Sequence, residues 1–350
     1  MQAHPAPPAP RRGGAGGALH LTIVGLMSNA RPWNRRLGSS ELPVTAIGLG
    51  LAALGRPGYL TLGHGEDLGA DRAVAALERR AHGVLDSAFE AGVRYFDAAR
   101  SYGRAEAFLG SWIVARGFAP GDVTVGSKWG YTYTADWRVD ADPPEVKDLS
   151  ADTLRRQIAE TRELLGRHLS LYQIHSATIE SGVLEDAAVL RGLAELREEG
   201  VAIGLTTTGP EQHETIERAI ETGAFDTVQA TYNLLEPSAG PALARAHEVG
   251  MGVLIKEALA NGRLTSRGDQ PELLAAASES GAAPDAIALA FVLAQQWVDV
   301  ALSGAVTGEQ LAANLSAMQV EWTPELAERL AGLATHAEGY WSVRSALAWN

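Results

Sequence analysis

The chain has 350 residues, of which 29 are basic and 42 are acidic, so its net charge is −13. This acidic balance argues against binding to a nucleic-acid backbone, which needs a basic face. The absence of cysteine excludes disulfides, thiolate nucleophiles and metal sites built on sulfur, and no apolar stretch reaches the roughly 18 residues of a membrane span.

Residues 1–33 are predicted to form a disordered tail, since residues 1–18 are rich in Pro, Gly and Ala and have no periodicity. Arg11 and Arg12 before a short apolar stretch faintly resemble a twin-arginine export signal, but that stretch contains His20. We therefore expect a cytoplasmic location. Met27 is an alternative start, so the sequence leaves open whether residues 1–26 belong to the mature protein.

Residues 34–338 are predicted to form a single domain in which an apolar run alternates with a helical pattern eight times. The runs are short and rich in Val, Ile and Leu, as is typical of strands buried on both faces. They span residues 44–51, 93–98, 123–128, 169–175, 201–206, 227–232, 252–256 and 298–303. Strict alternation predicts a parallel sheet, and eight units favour a closed (β/α)8 TIM barrel over an open doubly wound sheet.

Four intervening segments carry clear helical patterns, at residues 81–89, 154–165, 187–199 and 212–221. In the second, Asp152 is a candidate N-cap and Gly166 a candidate stop. Residues 35–42 predict a short hairpin that caps the bottom of the barrel. The loops 55–71 and 131–150 are long, which is typical of functional βα loops. The aromatic segment 339–350 is predicted to be a strap on the barrel or a lid over a pocket.

Polar residues collect where the predicted strands end. They are Asp97, Lys128, His175, Thr206, Thr207, Thr208, Gln229, Asn233, Lys256, Glu257 and Ser303. In a barrel these positions share one mouth, where barrel enzymes keep their active sites. Only three of the 29 basic residues are lysines, and lysine can release its proton where arginine cannot. Lys128 and Lys256 are therefore candidates for chemistry.

Several reaction classes can be compared with the residues that are available at this end of the barrel. None of the nine histidines forms His-x-His or His-Glu-x-x-His, so no metal site is predicted. Asp97 and Glu257 are available for glycoside hydrolysis, but nothing places them on either side of a scissile bond. The glycines of residues 48–55 have the wrong spacing for a Rossmann nucleotide site. A Schiff-base lyase that uses Lys128 or Lys256 remains an alternative.

The segment 96–106 offers a proton donor, because Tyr102 follows Asp97 by five residues on the loop that leaves the second strand. Lys128 ends the third strand, and Gln173-Ile174-His175 ends the fourth. With this set of motifs the sequence resembles the aldo-keto reductase family. The resemblance covers residues 35 to about 335 and includes the glycines of the first strand, the preceding hairpin, residues 302–305 and Asn314.

The four motif residues have a chemistry that can be argued directly. A free tyrosine has a pKa of about 10, and a nearby Lys128 ammonium is expected to lower the pKa of Tyr102. Asp97 can be the counterion of Lys128, and His175 can orient the substrate oxygen. Hydride must come from a nicotinamide cofactor, since no side chain supplies it. Tyr102 is thus the predicted general acid in reduction and general base in oxidation.

The resemblance also implies a cofactor, NAD or NADP, extended across the mouth. It implies that Gln229 holds the nicotinamide amide, that residues 259–263 wrap the pyrophosphate, and that residues 303–307 and the following helix hold the adenosine. The residues it places at the cofactor are Thr206, Thr207, Gln229, Lys256, Leu259, Asn261, Gly262, Ser303, Gly304, Thr307, Gln310 and Asn314.

Three departures from the family pattern bear on the cofactor. Thr206-Thr207 stands where the family usually has Ser-Asn, and Lys256 stands where many members stack a tyrosine on the nicotinamide. Residues 304–308 contain no cation to pair with the 2′-phosphate of NADP. We therefore expect NAD to be used at least as well as NADP.

The substrate is predicted to be a small aldehyde, ketone or sugar, with pocket walls from Trp129, Trp137 and Trp341. The loop after the eighth strand resembles that of NAD-using aldose dehydrogenases in the family, so sugar oxidation is one alternative. A non-catalytic, cofactor-binding regulatory subunit on the same fold is another. The sequence states neither the direction of the reaction nor the oligomeric state.

Overall fold

The computed structural model describes residues 33–350. The predicted tail up to residue 32, with Arg11, Arg12 and the alternative start Met27, lies outside this range. No helix in the described range is long and apolar enough to cross a membrane.

Residues 33–350 contain twelve strands, eight of which close into a barrel. The strands are β1 Asn34–Arg36, β2 Pro43–Thr45, β3 Ile47–Gly50, β4 Tyr95–Asp97, β5 Thr124–Trp129, β6 Tyr131–Tyr133, β7 Glu145–Lys147, β8 Leu169–Ala177, β9 Ala202–Thr207, β10 Thr227–Thr231, β11 Gly252–Lys256 and β12 Val300–Ser303. The barrel runs β3-β4-β5-β8-β9-β10-β11-β12 and closes on β3, with every pair parallel. Each predicted apolar run overlaps one barrel strand, and the predicted (β/α)8 barrel is confirmed.

Twelve α-helices lie in the same described range, mostly between consecutive barrel strands. They are α1 His64–Leu68, α2 Val74–Glu90, α3 Ala105–Arg116, α4 Ala151–Leu165, α5 Ala187–Glu198, α6 Gln212–Thr222, α7 Gly240–Glu248, α8 Pro271–Ser280, α9 Pro284–Leu293, α10 Gly308–Leu315, α11 Pro324–Leu330 and α12 Ala337–Ser345. The four predicted helical segments correspond to α2, α4, α5 and α6.

The start of α4 differs from the expectation, and its end agrees with it. Ser150 is the N-cap, because its hydroxyl accepts a hydrogen bond from the Thr153 backbone N–H at 3.3 Å. Asp152 is instead the second helical residue, where its carboxylate pairs with Arg155. The prediction of Asp152 as N-cap was therefore wrong, since a serine was available two residues earlier. Gly166 does end the helix.

The predicted N-terminal hairpin caps the bottom of the barrel. Strands β1 and β2 pair antiparallel, and Leu37 at the turn is buried against Tyr95, Leu254 and Val300 in the barrel interior. The turn approaches the barrel closely at Gly38, whose φ is 56° and where a Cβ atom would lie 2.2 Å from the backbone nitrogen of Gly252. Burial of a side chain such as Leu37 stabilises the closed end by about 2 kcal/mol.

Three segments surround the opposite end, where the barrel strands finish. The loop that follows β3 contains α1, and the loop that follows β5 contains the antiparallel hairpin β6–β7. The chain finishes with α12 and residues 346–350, and the backbone of Asn350 pairs with that of Tyr59 in both directions at 3.2 and 3.3 Å. The first βα loop and the C-terminal segment are therefore joined above the mouth.

Candidate active site

A cavity of about 620 Å³ opens at the carboxyl ends of the barrel strands, within the size range of ligand sites in proteins. Strand ends supply part of its lining, and the long loops and the C-terminal segment supply the rest. The strand-end residues that line it include Gly50, Asp97, His175, Gln229, Lys256 and Ser303, and Tyr102 follows β4. The polar residues at the strand ends therefore line a cavity at the predicted end of the barrel.

Asp97 and Lys128 form an ion pair at the base of this cavity. They lie at the ends of the neighbouring strands β4 and β5, and their side chains are 1% and 0% exposed. Lys128 also donates to the carbonyl of Ala98 at 3.0 Å. The second oxygen of Asp97 accepts from the Tyr95 hydroxyl and the Gln229 amide, each at 3.0 Å. Burial of two charges is tolerated here because both are paired and hydrogen-bonded.

Tyr102 and His175 lie directly above that pair. Tyr102 occupies the turn between β4 and α3, and its hydroxyl is 3.5 Å from Nε2 of His175. The Lys128 ammonium lies 4.8 Å from the centre of the Tyr102 ring. The fold therefore brings together the four residues that the sequence motifs singled out, although they come from three different strands and a loop. A phenol beside an imidazole can bind a carbonyl oxygen and transfer a proton to it.

The protonation states of these two groups follow from their burial. Burial raises the pKa of Tyr102, the Asp97 charge raises this pKa further, and the Arg56 guanidinium lowers it. The net direction is upward, because burial and the Asp97 charge outweigh Arg56, so the lowered pKa that was expected from the Lys128 charge is not found. Burial lowers the pKa of His175 well below its ordinary value, and the charges of Lys128 and Lys256 add to the effect. At neutral pH the site holds a protonated phenol and a neutral imidazole.

Sequence reasoning missed Arg56, which the first βα loop places against Tyr102. Its guanidinium lies 4.8, 5.2 and 4.5 Å from the ring centres of Tyr59, Tyr102 and Trp349, and it pairs with Glu145 at 3.0 Å. The side chain is buried although it carries a charge. The unusual length of the loop 55–71 indicated a functional segment in the sequence, but it did not single out Arg56.

A second ion pair, which is partly buried, lies at the end of β11. The Glu257 carboxylate accepts from Arg344 of α12 at 2.5 to 3.0 Å and from the Thr231 hydroxyl at 3.1 Å. Burial opposes ionisation of Glu257, but the Arg344 and Lys256 charges outweigh it and lower its pKa to about 2. Lys256 donates to Thr231 at 2.9 Å, and burial lowers the pKa of Lys256 to about 8. Arg344 was not identified from the sequence.

Nine of the twelve residues that the resemblance placed at the cofactor line the cavity. They are Gln229, Lys256, Leu259, Asn261, Gly262, Ser303, Gly304, Gln310 and Asn314. The other three do not line it. The Thr206 hydroxyl accepts from the Ser176 backbone at 2.7 Å, the Thr207 hydroxyl is 3.4 Å from the Gln212 amide oxygen, and Thr307 caps α10.

The cavity walls have unsatisfied polar atoms that suit a polar ligand. Oδ1 of Asn261 and Nε2 of His64 are both buried without a hydrogen-bond partner in the described part of the chain. Their segments touch, since the Leu62 backbone N–H donates to the Asn261 carbonyl at 3.0 Å. Buried polar groups are normally paired, so an elongated polar molecule such as a dinucleotide fits this lining.

The aromatic walls differ from the expected ones. Trp129 is fully buried, because it alternates with the inward-facing Lys128 and so faces the surrounding helices. Trp137 donates to the Arg72 carbonyl at 2.7 Å and packs near Phe108, outside the cavity lining. Trp341 is covered by Tyr340 and Arg344 and does not line the cavity either. The aromatic residues that do line it are Tyr59, Tyr102, Tyr131 and Trp349.

Known proteins resemble this chain in sequence along most of its length. The family model described as the aldo/keto reductase family matches residues 46–334. The uncharacterized oxidoreductase YqkF of Bacillus subtilis is 25% identical over 332 residues, which cover 87% of this chain and 96% of that protein. The D-threo-aldose 1-dehydrogenase of a Pseudomonas species is 28% identical over 250 residues, covering 65% of this chain and 72% of that protein.

The barrel also resembles solved structures. The holo form of the aldo-keto reductase AKR11C1 from Bacillus halodurans superposes with a TM-score of 0.66 and is 22% identical. The match covers 87% of this chain and 97% of that one. At this identity the likeness supports the fold.

Proposed function

The chain belongs to the aldo/keto reductase family of oxidoreductases, and on that premise we propose that it transfers hydride between a nicotinamide cofactor and a small carbonyl compound. The substrate is an aldehyde, a ketone or a sugar. The observation that carries the proposal is the position of the Tyr102 hydroxyl, 3.5 Å from His175 and directly above the buried Asp97–Lys128 pair. This arrangement puts a proton donor and an orienting imidazole beside one cavity.

Each of the four residues has a distinct task in the proposed reaction. Neutral His175 and protonated Tyr102 hydrogen-bond the carbonyl oxygen, and Tyr102 donates its proton to that oxygen during reduction. In oxidation Tyr102 takes the hydroxyl proton instead. The Lys128 ammonium, 4.8 Å from the ring, stabilises the phenolate that remains after proton transfer, and Asp97 holds Lys128 in place. A bound nicotinamide cofactor would supply or accept the hydride.

The proposed cofactor is held by Gln229, Asn261, Ser303, Gln310 and Asn314, all of which line the cavity. The unpartnered side-chain oxygen Oδ1 of Asn261 supports this assignment, because a ligand hydroxyl can donate to it. NAD is proposed to serve at least as well as NADP, since residues 304–308 carry no cation for a 2′-phosphate. NADP favoured a hundredfold in kcat/KM would contradict this.

Oxidation of aldoses is a second candidate within the same chemistry. The similarity to a D-threo-aldose 1-dehydrogenase favours it. The cavity wall combines aromatic faces from Tyr131 and Trp349 with the polar groups of Glu145 and Lys256. Such a wall can both stack on a sugar ring and hydrogen-bond its hydroxyl groups.

Titration of the protein with NADH and NADPH, followed by a screen of aldehydes, ketones and aldoses in both directions, tests the proposal. Binding with turnover supports it, and turnover of aldoses with NAD alone selects the second candidate. Binding without any turnover favours the regulatory-subunit alternative. A substrate adduct trapped by borohydride at Lys128 or Lys256 would replace hydride transfer with Schiff-base chemistry.

A further inference from the structure

The cavity has a second end, which is lined by three segments that carry neither Tyr102 nor His175. The first βα loop contributes Asp67, the loop after β11 contributes Arg267, and α10 contributes Gln310 and Asn314. The proposed function requires the nicotinamide to lie beside Tyr102, since hydride moves only between adjacent atoms. An extended dinucleotide bound in this cavity then has its adenosine at this second end.

Asp67 is held at this end by three hydrogen bonds. Arg267 donates to its two oxygens at 2.5 and 2.7 Å, and Nε2 of Gln310 donates to Oδ2 at 2.7 Å. Partial burial opposes ionisation, but the bonds from Arg267 and Gln310 outweigh it and lower the pKa of Asp67. A carboxylate therefore stands beside the first turn of α10 at neutral pH.

Apart from Arg267, which is paired with that carboxylate, the described lining of this end offers no lysine or arginine. Asp285 adds a second carboxyl group, to which the Asn314 amide can donate at 3.1 Å. Arg267 is the arginine at this end, and both of its terminal nitrogens are occupied by Asp67. Residues 304–308 add no charge. A phosphate group placed here would have to compete with Asp67 for Arg267 and would also meet the Asp285 carboxyl group.

We propose that Asp67 determines which dinucleotide the protein binds, by favouring NAD(H) and rejecting NADP(H) at the adenosine ribose. A carboxylate can accept hydrogen bonds from ribose hydroxyl groups. A 2′-phosphate carries nearly two negative charges, which the carboxylate repels at close range, and Asp67 also withholds the arginine that would neutralise them. This inference rests on the proposed function. There the preference for NAD followed from the lack of a cation after β12, and here Asp67 is named as an anion that opposes NADP(H).

Fluorescence titration of the full chain with NADH and with NADPH tests this without any turnover. We expect NADH to bind at least about tenfold more tightly than NADPH to the wild-type protein. Asp67→Asn removes the repelling charge and frees Arg267, so the preference for NADH should fall by about tenfold. Glu66→Gln is the matched control, because it removes the same charge from an exposed neighbour outside the cavity lining, and it should keep the wild-type ratio.

Variants of Arg267 distinguish the two proposed roles of Asp67, which are repulsion of the 2′-phosphate and occupation of the Arg267 guanidinium. Arg267→Gln alone should raise the preference for NADH, because it leaves the Asp67 charge without its counterion. Combined with Asp67→Asn, it should remove much of the gain in NADPH affinity, which a double-mutant cycle measures. Asp67→Ser provides a second charge-removing variant if Asp67→Asn does not fold.

An unchanged ratio in a folded Asp67→Asn or Asp67→Ser protein would overturn the inference and leave the proposed function standing. A wild-type preference for NADPH would also overturn it. If neither nucleotide binds the wild-type protein, the proposed function itself is wrong. The two failures are therefore distinguishable.

Discussion

The guanidinium of Arg56 lies over the ring of Tyr102, 5.2 Å from the ring centre. Arg56 is buried, and it also contacts the Glu145 carboxylate, the Ala52 and Ser101 carbonyls and the Tyr59 and Trp349 rings. A second cation besides Lys128 thus acts on the phenol proposed as general acid. It comes from the first βα loop, outside the four-residue motif.

Replacing Arg56 should make the Tyr102 phenol harder to ionise. The Arg56 charge lowers the pKa of Tyr102, so Arg56→Met should raise this pKa. Oxidation of an alcohol needs the phenol to accept a proton, so the rise of kcat/KM with pH should move to higher pH in the variant. The pH profile of the variant measures this, and Arg56→Lys should restore part of the shift. An unchanged profile would show that Arg56 has only a packing role.

Removing the Tyr102 hydroxyl should abolish proton transfer and leave cofactor binding nearly intact. Loss of a positioned general acid or base costs about 10²- to 10⁴-fold in rate, so kcat of Tyr102→Phe should fall by at least the lower figure. Single-turnover kinetics with a fluorescence titration in parallel separate the two properties. Tyr172→Phe is the control, since it removes a buried hydroxyl that lies 3.4 Å from Thr161, outside the cavity lining. Equal kcat in Tyr102→Phe and wild type would defeat the assignment.

Breaking the Asp97–Lys128 pair should destabilise the fold as well as stop the reaction. Lys128→Met leaves a buried carboxylate without its counterion, which costs about 3 kcal/mol of unfolding free energy. Asp97→Asn/Lys128→Met should lose less than the sum of the two single changes, because both remove the same interaction. Urea unfolding measures all three variants. Arg36→Gln, which breaks an exposed pair with Glu41, should cost under about 1 kcal/mol.

The Glu257–Arg344 pair should make the free energy of unfolding depend on pH in the acid range. The pKa of Glu257 is about 2 in the folded protein against an ordinary value of 4.5, so the unfolded state binds the proton more readily. The contribution is therefore fully present above pH 4.5 and is lost as the pH falls towards 2. Its size is about 3 kcal/mol, since one pKa unit corresponds to about 1.4 kcal/mol.

Unfolding curves at pH 6 and pH 3 test this dependence. Arg344→Met should lose stability at pH 6 and show a much smaller further loss at pH 3 than the wild type. Arg329→Met disrupts a pair with the exposed Glu279 and should keep the wild-type dependence. If Arg344→Met and wild type lose the same free energy between the two pH values, the pair does not carry the effect.

Much of the site could be predicted because it lies at strand ends. Asp97, Lys128 and His175 each close an apolar run, and parallel strands of one barrel all finish at the same mouth. The side of a strand on which a residue lies was harder to assign. Trp129 follows Lys128 directly, so it faces the helices and not the cavity.

By itself, the sequence determined the eight-stranded barrel, the hairpin below it and the four groups around Tyr102, because local periodicity and strand ends carry that information. Only the tertiary structure decided which loop residues complete the site. Arg56 meets Trp349, and Asp67 meets Arg267 and Gln310, across 200 or more positions of the chain. The paths of long loops depend on packing between distant segments, which no local pattern in the sequence specifies.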